Sequence, residues 1–181
     1  MTYLNPSDAV AQQENLTCQI FDELRNKTFD GIGVTRASYG DGEQVARDIM
    51  AKVATEIGLV VEDDAAGNVY MTLKGKKTGT KPVIIGSHID SVAQGGNFDG
   101  AAGVVSGLIA CASLIETGVT PSCDVKVMGI RAEESAWFGV SYIGSRSALG
   151  TLPPEALEKA KRADTGPVSY THLTLPTKRI V

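Results

Sequence analysis

Five residues in three short segments of this chain carry side chains that could hold a divalent metal and activate water. His88 and Asp90 lie two residues apart, Asp99 follows nine residues later, and Glu133 and Glu134 are adjacent further along. Imidazole and carboxylate groups are common zinc ligands, and a carboxylate beside a metal-activated water can serve as a general base. If the fold brings the three segments together, the protein is a hydrolase.

The spacing suggests a different task for each of these side chains. In an extended segment, residues two apart point to the same side, so Asp90 can accept the second N–H of His88 and fix its tautomer. Asp99 precedes a predicted helix, whose dipole favours an anion there, and its carboxylate could bridge two ions. Glu133 and Glu134 leave a strand end in different directions. One of them could therefore bind metal while the other moves a proton.

Apolar periodicity predicts the elements that position these residues. Val83–Ile85 is a short β-branched run typical of a strand buried on both faces. Val125–Ile130 is a second strand, and a helix from about Gly100 to Thr117 lies between them. This order implies a parallel strand pair, and sites in α/β sheets form at the carboxyl ends of strands. Upstream, the pattern predicts helices over 7–25 and 41–58 and hairpin strands over 59–61 and 69–73.

Composition restricts the class of protein and of partner. The chain has 181 residues, a formal net charge of −4, 43% hydrophobic and 21% charged residues, which is ordinary for a soluble globular protein. No basic stripe suggests a nucleic-acid partner, and the most apolar segment, Ala101–Ile115, is too short to span a bilayer. No signal peptide is visible, and three cysteines without a C-x-x-C pair fit a reducing compartment. We therefore expect a cytoplasmic protein with neither nucleic acid nor membrane as partner.

Each feature also has an ordinary structural interpretation when it is taken singly. A lone His88 near a strand end is more often a hydrogen-bonded structural residue. Asp99 alone is more often a helix cap, and a Glu-Glu pair is usually solvated surface. Trp137 and Phe138 are more typical of a core or a lid than of a substrate platform. The metal-site hypothesis depends on the joint arrangement.

Three ordered motifs resemble a known family. They are Gly-Ser-His-Ile-Asp-Ser-Val at 86–92, Gly-Gly-Asn-Phe-Asp-Gly-Ala-Ala-Gly-Val at 95–104, and Ala-Glu-Glu-Ser-Ala-Trp-Phe-Gly-Val-Ser-Tyr-Ile-Gly-Ser-Arg at 132–146. Together they resemble the peptidase M20 family, in particular its hydantoinase/carbamoylase branch. The similarity runs from about Phe29 to Gly150 and includes Gly33–Arg36 and Asp64–Asn68.

The resemblance implies an α/β fold, a partial M20-type (zinc-exopeptidase-like) catalytic domain with a mixed sheet flanked by helices. It implies two divalent ions, zinc or manganese. His88 would bind one ion, Asp99 would bridge both and Glu134 would bind the second. Glu133 would be the general base, and Asp90 would orient His88. Family members also tend to have a cis peptide after the bridging aspartate, which in this chain is the bond between Asp99 and Gly100.

Two departures from the family pattern affect what the chain can do. Trp137 stands where many members have a basic residue, which bears on the substrate subtype. The remaining histidine ligands, a substrate-binding arginine and the lid or dimerisation domain lie further downstream in the family and are absent from this chain. We therefore interpret residues 1–166 as the N-terminal part of the catalytic domain. Residues 167–181 resemble translated library adaptor and are predicted to be a non-native tail, so His172 is discounted.

The predicted function is that of a metal-dependent amidohydrolase that cleaves non-peptide C–N bonds. The favoured activity is N-carbamoyl-L-amino-acid hydrolysis by hydroxide on the metal, with Glu133 as the base. The alternatives are an allantoate amidohydrolase, a β-ureidopropionase, or an M20 aminoacylase or peptidase. A different class of alternative is an inactive truncated fragment with at most weak metal binding. A homodimer is expected for the full-length protein.

Overall fold

A computed structural model of the chain describes residues 5–159, 161–162 and 166–167. Seven helices and six strands occur in these residues. In chain order they are α1 (Pro6–Gln12), α2 (Glu14–Thr28), α3 (Asp41–Glu56), β1 (Val60–Asp63), β2 (Val69–Leu73), β3 (Val83–His88), α4 (Ala101–Glu116), β4 (Val125–Ile130), α5 (Ser135–Phe138), α6 (Ile143–Ala148), α7 (Pro154–Lys159), β5 (Lys161–Arg162) and β6 (Gly166–Pro167).

Four strands form a mixed sheet in the order β1-β2-β4-β3. β1 and β2 are an antiparallel hairpin, β2 pairs antiparallel with β4, and β3 pairs parallel with β4. Asp64 stabilises the hairpin turn, since its Oδ1 accepts from the backbone N–H groups of Ala66 and Asn68 at 2.9 and 3.0 Å. Gly67 completes this turn with φ +80°, a conformation that favours glycine. The predicted α/β class with a mixed sheet is confirmed.

The main core lies between one face of this sheet and helices α2, α3 and α4. Alternate residues of each strand point to that face, and helix α4 approaches it closely at Gly107. A Cβ on Gly107 would lie 2.8 Å from Val127 Cγ1, so the small residue lets the helix contact the strand. The central buried side chains are Ile20, Leu24, Ile49, Met50, Val53, Val69, Met71, Val104, Leu108 and Val127.

Two local expectations were wrong. The helix predicted over 7–25 is divided at Gln13, whose backbone leaves the helical region at φ −86°, ψ 8°; α2 then continues to Thr28. The strand predicted to be buried on both faces is longer, and Val83 and Ile84 are 52% and 55% exposed. Among the described residues β3 pairs with β4 alone, so it is an edge strand.

Some sequence interpretations fall outside the described residues. Apart from Pro167, the predicted non-native tail at 167–181 lies there, and so does His172. Within the described part of the chain, no helix is both long and apolar enough to cross a membrane.

Candidate metal centre

The site lies where the two parallel strands end. His88 is the last residue of β3 and pairs in register with Ile130, the last residue of β4. The segment that follows β4 therefore leaves the sheet beside His88 and carries Glu133 and Glu134. Asp99 reaches the same place from the loop that precedes α4. The predicted meeting of these segments at the carboxyl ends of the strands is observed.

His88 is oriented through its Nδ1 atom. Nδ1 lies 3.0 Å from the backbone oxygen of Asp90 and 3.4 Å from its Oδ1. Nε2 faces the other carboxylates, at 3.7 Å from Asp99 Oδ1 and 4.0 Å from Glu133 Oε2. A neutral imidazole whose Nδ1–H donates to Asp90 presents the lone pair of Nε2 as a ligand.

One group of three half-buried side chains could hold a metal ion among the described residues. Ligand atoms of His88, Glu133 and Glu134 all lie within 4.8 Å of one another. The set predicted from the sequence as ligands was His88, Asp99 and Glu134. Asp99 lies near His88 but does not belong to this group of three, whereas Glu133, predicted as the base, does. The division of roles among these carboxylates stays a prediction.

Asp90 has a wider task than the predicted one of orienting His88. Its carboxylate is fully buried and accepts from the backbone N–H groups of Glu133 and Glu134 at 3.1 and 3.0 Å. It also accepts from the Ser38 hydroxyl at 2.6 Å. Burial alone would raise the pKa of Asp90, but its hydrogen bonds with His88 and Ser38 hold that pKa below its ordinary value. Asp90 therefore connects the two halves of the site, which are the His88 half at the end of β3 and the Glu133 half after β4.

The site carries an excess of negative charge. Burial lowers the pKa of His88, but the hydrogen bond and charge of Asp90, with the charge of Glu133, outweigh it and raise that pKa to about 9. Burial and the Glu133 charge raise the pKa of Glu134. A negative potential that draws a proton onto His88 also favours a divalent cation in its place. The donor set and its charge therefore fit a metal ion.

Sequence reasoning missed Glu43 on α3. Its carboxylate is buried and accepts from Ala132 N–H at 2.8 Å, from Tyr39 N–H at 2.7 Å and from Arg131 Nε at 2.5 Å. Ala132 has φ +51°, a left-handed conformation that is unfavourable for alanine. Because this residue precedes Glu133, the bond from Glu43 helps set the direction in which the Glu-Glu pair leaves the strand.

The Asp64–Asn68 segment also reaches the site. Asn68 Oδ1 accepts from Arg131 N–H at 2.9 Å, and its Nδ2 donates to the Gly144 carbonyl at 3.0 Å.

The cis peptide expected after Asp99 is not found. No peptide bond in the described residues is cis, so the bond between Asp99 and Gly100 is trans.

These features define a hydrolase domain of the M28/M20 type. The family model described as Peptidase family M28 matches residues 68–160, just over half of the chain, and the chain belongs to this family. The predicted resemblance to M20-type hydrolases of the hydantoinase/carbamoylase branch is confirmed by the relatives and solved structures that follow.

Two curated relatives named as amidohydrolases match most of this chain. An N-carbamoyl-L-amino acid amidohydrolase of Geobacillus stearothermophilus is 46% identical over 130 residues, which are 70% of this chain and 31% of that protein. An allantoate amidohydrolase of Bacillus subtilis is 32% identical over 134 residues, 74% of this chain and 32% of that protein. The crystal structure of a hydantoinase/carbamoylase family amidase from Burkholderia multivorans superimposes with a TM-score of 0.79 at 29% identity. It covers 84% of this chain and 38% of that one.

The match is partial on the side of the relatives. The chain spans about a third of the length of these two curated relatives. The activity of the whole protein is therefore considered below as a proposal.

Proposed function

We propose that this chain forms the N-terminal part of the catalytic domain of a metal-dependent amidohydrolase that cleaves N-carbamoyl-L-amino acids. The observation that carries the proposal is the cluster of His88, Glu133 and Glu134 at the ends of two parallel strands. The 46% identity to an N-carbamoyl-L-amino acid amidohydrolase supports this substrate class. Within the cell we expect a cytoplasmic enzyme, and for the full-length protein a homodimer.

The residues of the chain divide the work of binding and proton transfer. His88 Nε2 would hold one ion and the Glu134 carboxylate the second, and the Asp99 carboxylate would contribute to both. Two ions, zinc or manganese, are proposed. A bound divalent cation polarises the substrate carbonyl and lowers the pKa of water.

Glu133 moves the proton in this proposal. Its carboxylate takes a proton from the attacking water, whose oxygen forms a bond to the carbamoyl carbon. When the bond between that carbon and the amino-acid nitrogen breaks, Glu133 returns the proton to the leaving nitrogen. Asp90 holds the backbone of Glu133 in place throughout, since it accepts the Glu133 N–H.

A second candidate is allantoate hydrolysis, favoured by the 32% identity to an allantoate amidohydrolase. Allantoate also carries a ureido group, so the same centre could serve both reactions. β-Ureidopropionase and M20 aminoacylase or peptidase activities stay as further alternatives. Trp137 bears on this choice, because it stands where many family members have a basic residue. Its Nε1–H donates to the Ser91 carbonyl at 2.8 Å, which holds the ring beside the segment that follows Asp90.

The test uses the longer protein that contains this chain. Amino-acid release from N-carbamoyl-L-amino acids is compared with ureido cleavage of allantoate, after chelation and again after addition of zinc or manganese. Glu133→Gln should lower kcat by about 10²- to 10⁴-fold, while Glu62→Gln, on the exposed face of β1, should leave it unchanged. Full activity in Glu133→Gln would exclude the proposed base.

The 181-residue chain by itself should bind the cation weakly and hydrolyse nothing measurable. Three side chains leave coordination positions unfilled, and a catalytic centre needs its ligands in place to position water. Turnover by this chain above the Glu133→Gln background would contradict that expectation.

A further inference from the structure

Arg36 is a fully buried arginine in the connection between α2 and α3. Its Nε–H donates to the Ile89 carbonyl and its Nη2 to the Asp99 carbonyl, both at 2.9 Å. A longer contact of 3.4 Å joins Nη1 to the Asn97 carbonyl. Across the part of the chain that the structure describes, Arg36 has no carboxylate partner within 4.0 Å. Its acceptors are all backbone oxygens.

These acceptors lie on both sides of the metal centre. Ile89 directly follows His88 at the end of β3, and Asp99 lies at the far end of the loop between β3 and α4, residues 89–100. This site loop contains no helix or strand, so its shape depends on contacts with other segments. The rigid, planar guanidinium of Arg36 joins the two ends of the loop.

The backbone around Arg36 follows the same loop. Arg36 N–H donates to Ser91 Oγ at 3.0 Å, and Ser91 N–H donates to the Arg36 carbonyl at 2.9 Å. Val34 and Gly95 exchange two backbone hydrogen bonds of 3.0 and 2.8 Å. Gly33 allows this approach, because a Cβ there would lie 2.5 Å from the facing backbone. The Gly33–Arg36 motif is thus built against the site loop.

The charge of Arg36 acts against a cation at this site. Burial lowers the pKa of Arg36, while the carboxylates of Asp99 and Asp90 raise it, so the guanidinium lies in the field of the same acids that face the metal centre. A positive charge there weakens the binding of a divalent ion by Coulomb repulsion. When Arg36 is removed, loss of its positioning contacts would lower the metal affinity, whereas loss of its positive charge would raise it.

We propose that Arg36 is a positioning residue that holds Asp99 and the His88 end of β3 at the separation that cation binding requires. The proposal rests on the proposed metal-dependent function and extends it to a segment that contributes no ligand. Arg36 acts through the backbone of the site loop and touches neither substrate nor metal.

The first test is a calorimetric titration of the 181-residue chain with zinc or manganese chloride. Arg36→Lys and Arg36→Met should each raise the Kd by about 10- to 100-fold, the range found when partners that orient metal ligands are removed. Arg47→Met is the control, because Arg47 pairs with Asp63 on β1 instead, and its Kd should stay unchanged. An unchanged Kd in Arg36→Lys together with a lower Kd in Arg36→Met would show a purely electrostatic role and overturn the proposal.

The second test needs no metal. Amide hydrogen exchange of Ser91 and Gly95, whose N–H groups are bonded to the Gly33–Arg36 segment, should be faster in both Arg36 variants and unchanged in Arg47→Met. Unchanged exchange in the Arg36 variants overturns the positioning role. If the unsubstituted chain binds neither ion, the expectation of weak cation binding by this chain is wrong, and the exchange measurement decides the role of Arg36 independently. Arg36→Lys, which keeps the charge and the aliphatic stem, serves where Arg36→Met does not fold.

Discussion

Two buried arginines support the two halves of this site in different ways. Arg131 lies beside the Glu133 half, and its Nε pairs with Glu43 Oε2 at 2.5 Å. Arg36 lies beside the His88 half and donates to backbone carbonyls. Both side chains are nearly or fully inaccessible, at 3% and 0% exposure.

The difference lies in how each charge is compensated. Glu43 is a counter-ion in direct contact with Arg131, and burial raises the pKa of Glu43 to about 7 although the Arg131 charge opposes this shift. The charge of Arg36 has no adjacent counter-ion among the described residues and acts on Asp90 and Asp99 instead. Removing a partner from the first arrangement leaves a buried charge, whereas removing Arg36 leaves neutral carbonyls. The two arginines should therefore respond differently to substitution.

The largest effect is expected from breaking the buried pair. Glu43→Ala leaves the Arg131 guanidinium without a counter-ion and should lower the free energy of unfolding by about 3–5 kcal/mol. Urea denaturation above pH 7, where Glu43 is ionised, measures this loss, with Arg131→Met and the double variant completing a cycle. The double variant should lose less than the sum of the single variants. A loss below about 1 kcal/mol in Glu43→Ala would contradict the buried-pair interpretation.

Arg36→Met should destabilise the chain less than Glu43→Ala does. It removes the side-chain donor of the Ile89 carbonyl, whereas the Asp99 carbonyl keeps the Ala101 N–H, and it leaves no uncompensated charge. Such a change lowers the free energy of unfolding by about 1–3 kcal/mol. The same urea measurement compares the two variants directly. A loss in Arg36→Met equal to that in Glu43→Ala would remove the distinction between the two arginines.

The titration of His88 reports the charge of its half of the site. In the metal-free chain its pKa is raised from 6.5 to about 9, so its contribution to stability is fully present below pH 6.5 and is lost as the pH rises through 9. Arg36→Met removes a positive charge that opposes protonation of His88, so this variant should raise the pKa of His88 further. NMR titration checks it, with His88→Gln assigning the signal and Arg47→Met as control. A pKa near 6.5 in the unsubstituted chain would exclude the negative potential at this site.

The smallest effect is expected on the surface. Lys27, which is exposed, and Glu23, which is partly exposed, form an ion pair on α2 at 2.7 Å, and the hydrogen bond to Lys27 lowers the pKa of Glu23. Solvent screens such pairs, so Lys27→Met should change the free energy of unfolding by about 0.5 kcal/mol or less. The change in the free energy of unfolding of Lys27→Met gives a reference value for the variants of the two buried arginines in the same urea measurement. A change as large as that in Arg36→Met would mean that burial does not separate these charges.

The sequence predicted where the ligand segments lie because the residues directly before each of them form a recognisable strand pattern. His88 directly follows a β-branched run, and Glu133 lies three residues beyond a second one. Since parallel strands joined by a helix end at the same edge, two such signals suffice to bring these residues together. The register of His88 with Ile130 confirms that expectation.

The sequence did not predict which strand lies at the edge. Val83–Ile85 has the composition of a central strand, but the place of a strand in a sheet depends on which partners form hydrogen bonds with it. Glu43 was missed for a related reason. A charged residue near the start of a helix suggests a solvated first turn, although its position lies in the buried row of Ala46 and Met50.

The sequence by itself determined the order of the elements and the chemistry at their ends, because periodicity and residue type act over a few neighbours. Only the tertiary structure decided that Arg36 and Glu43 hold the site. Apart from Tyr39, which lies four residues from Glu43, their acceptors and donors lie between 53 and 89 residues away along the chain. Contacts over such separations are set by packing and leave no local pattern.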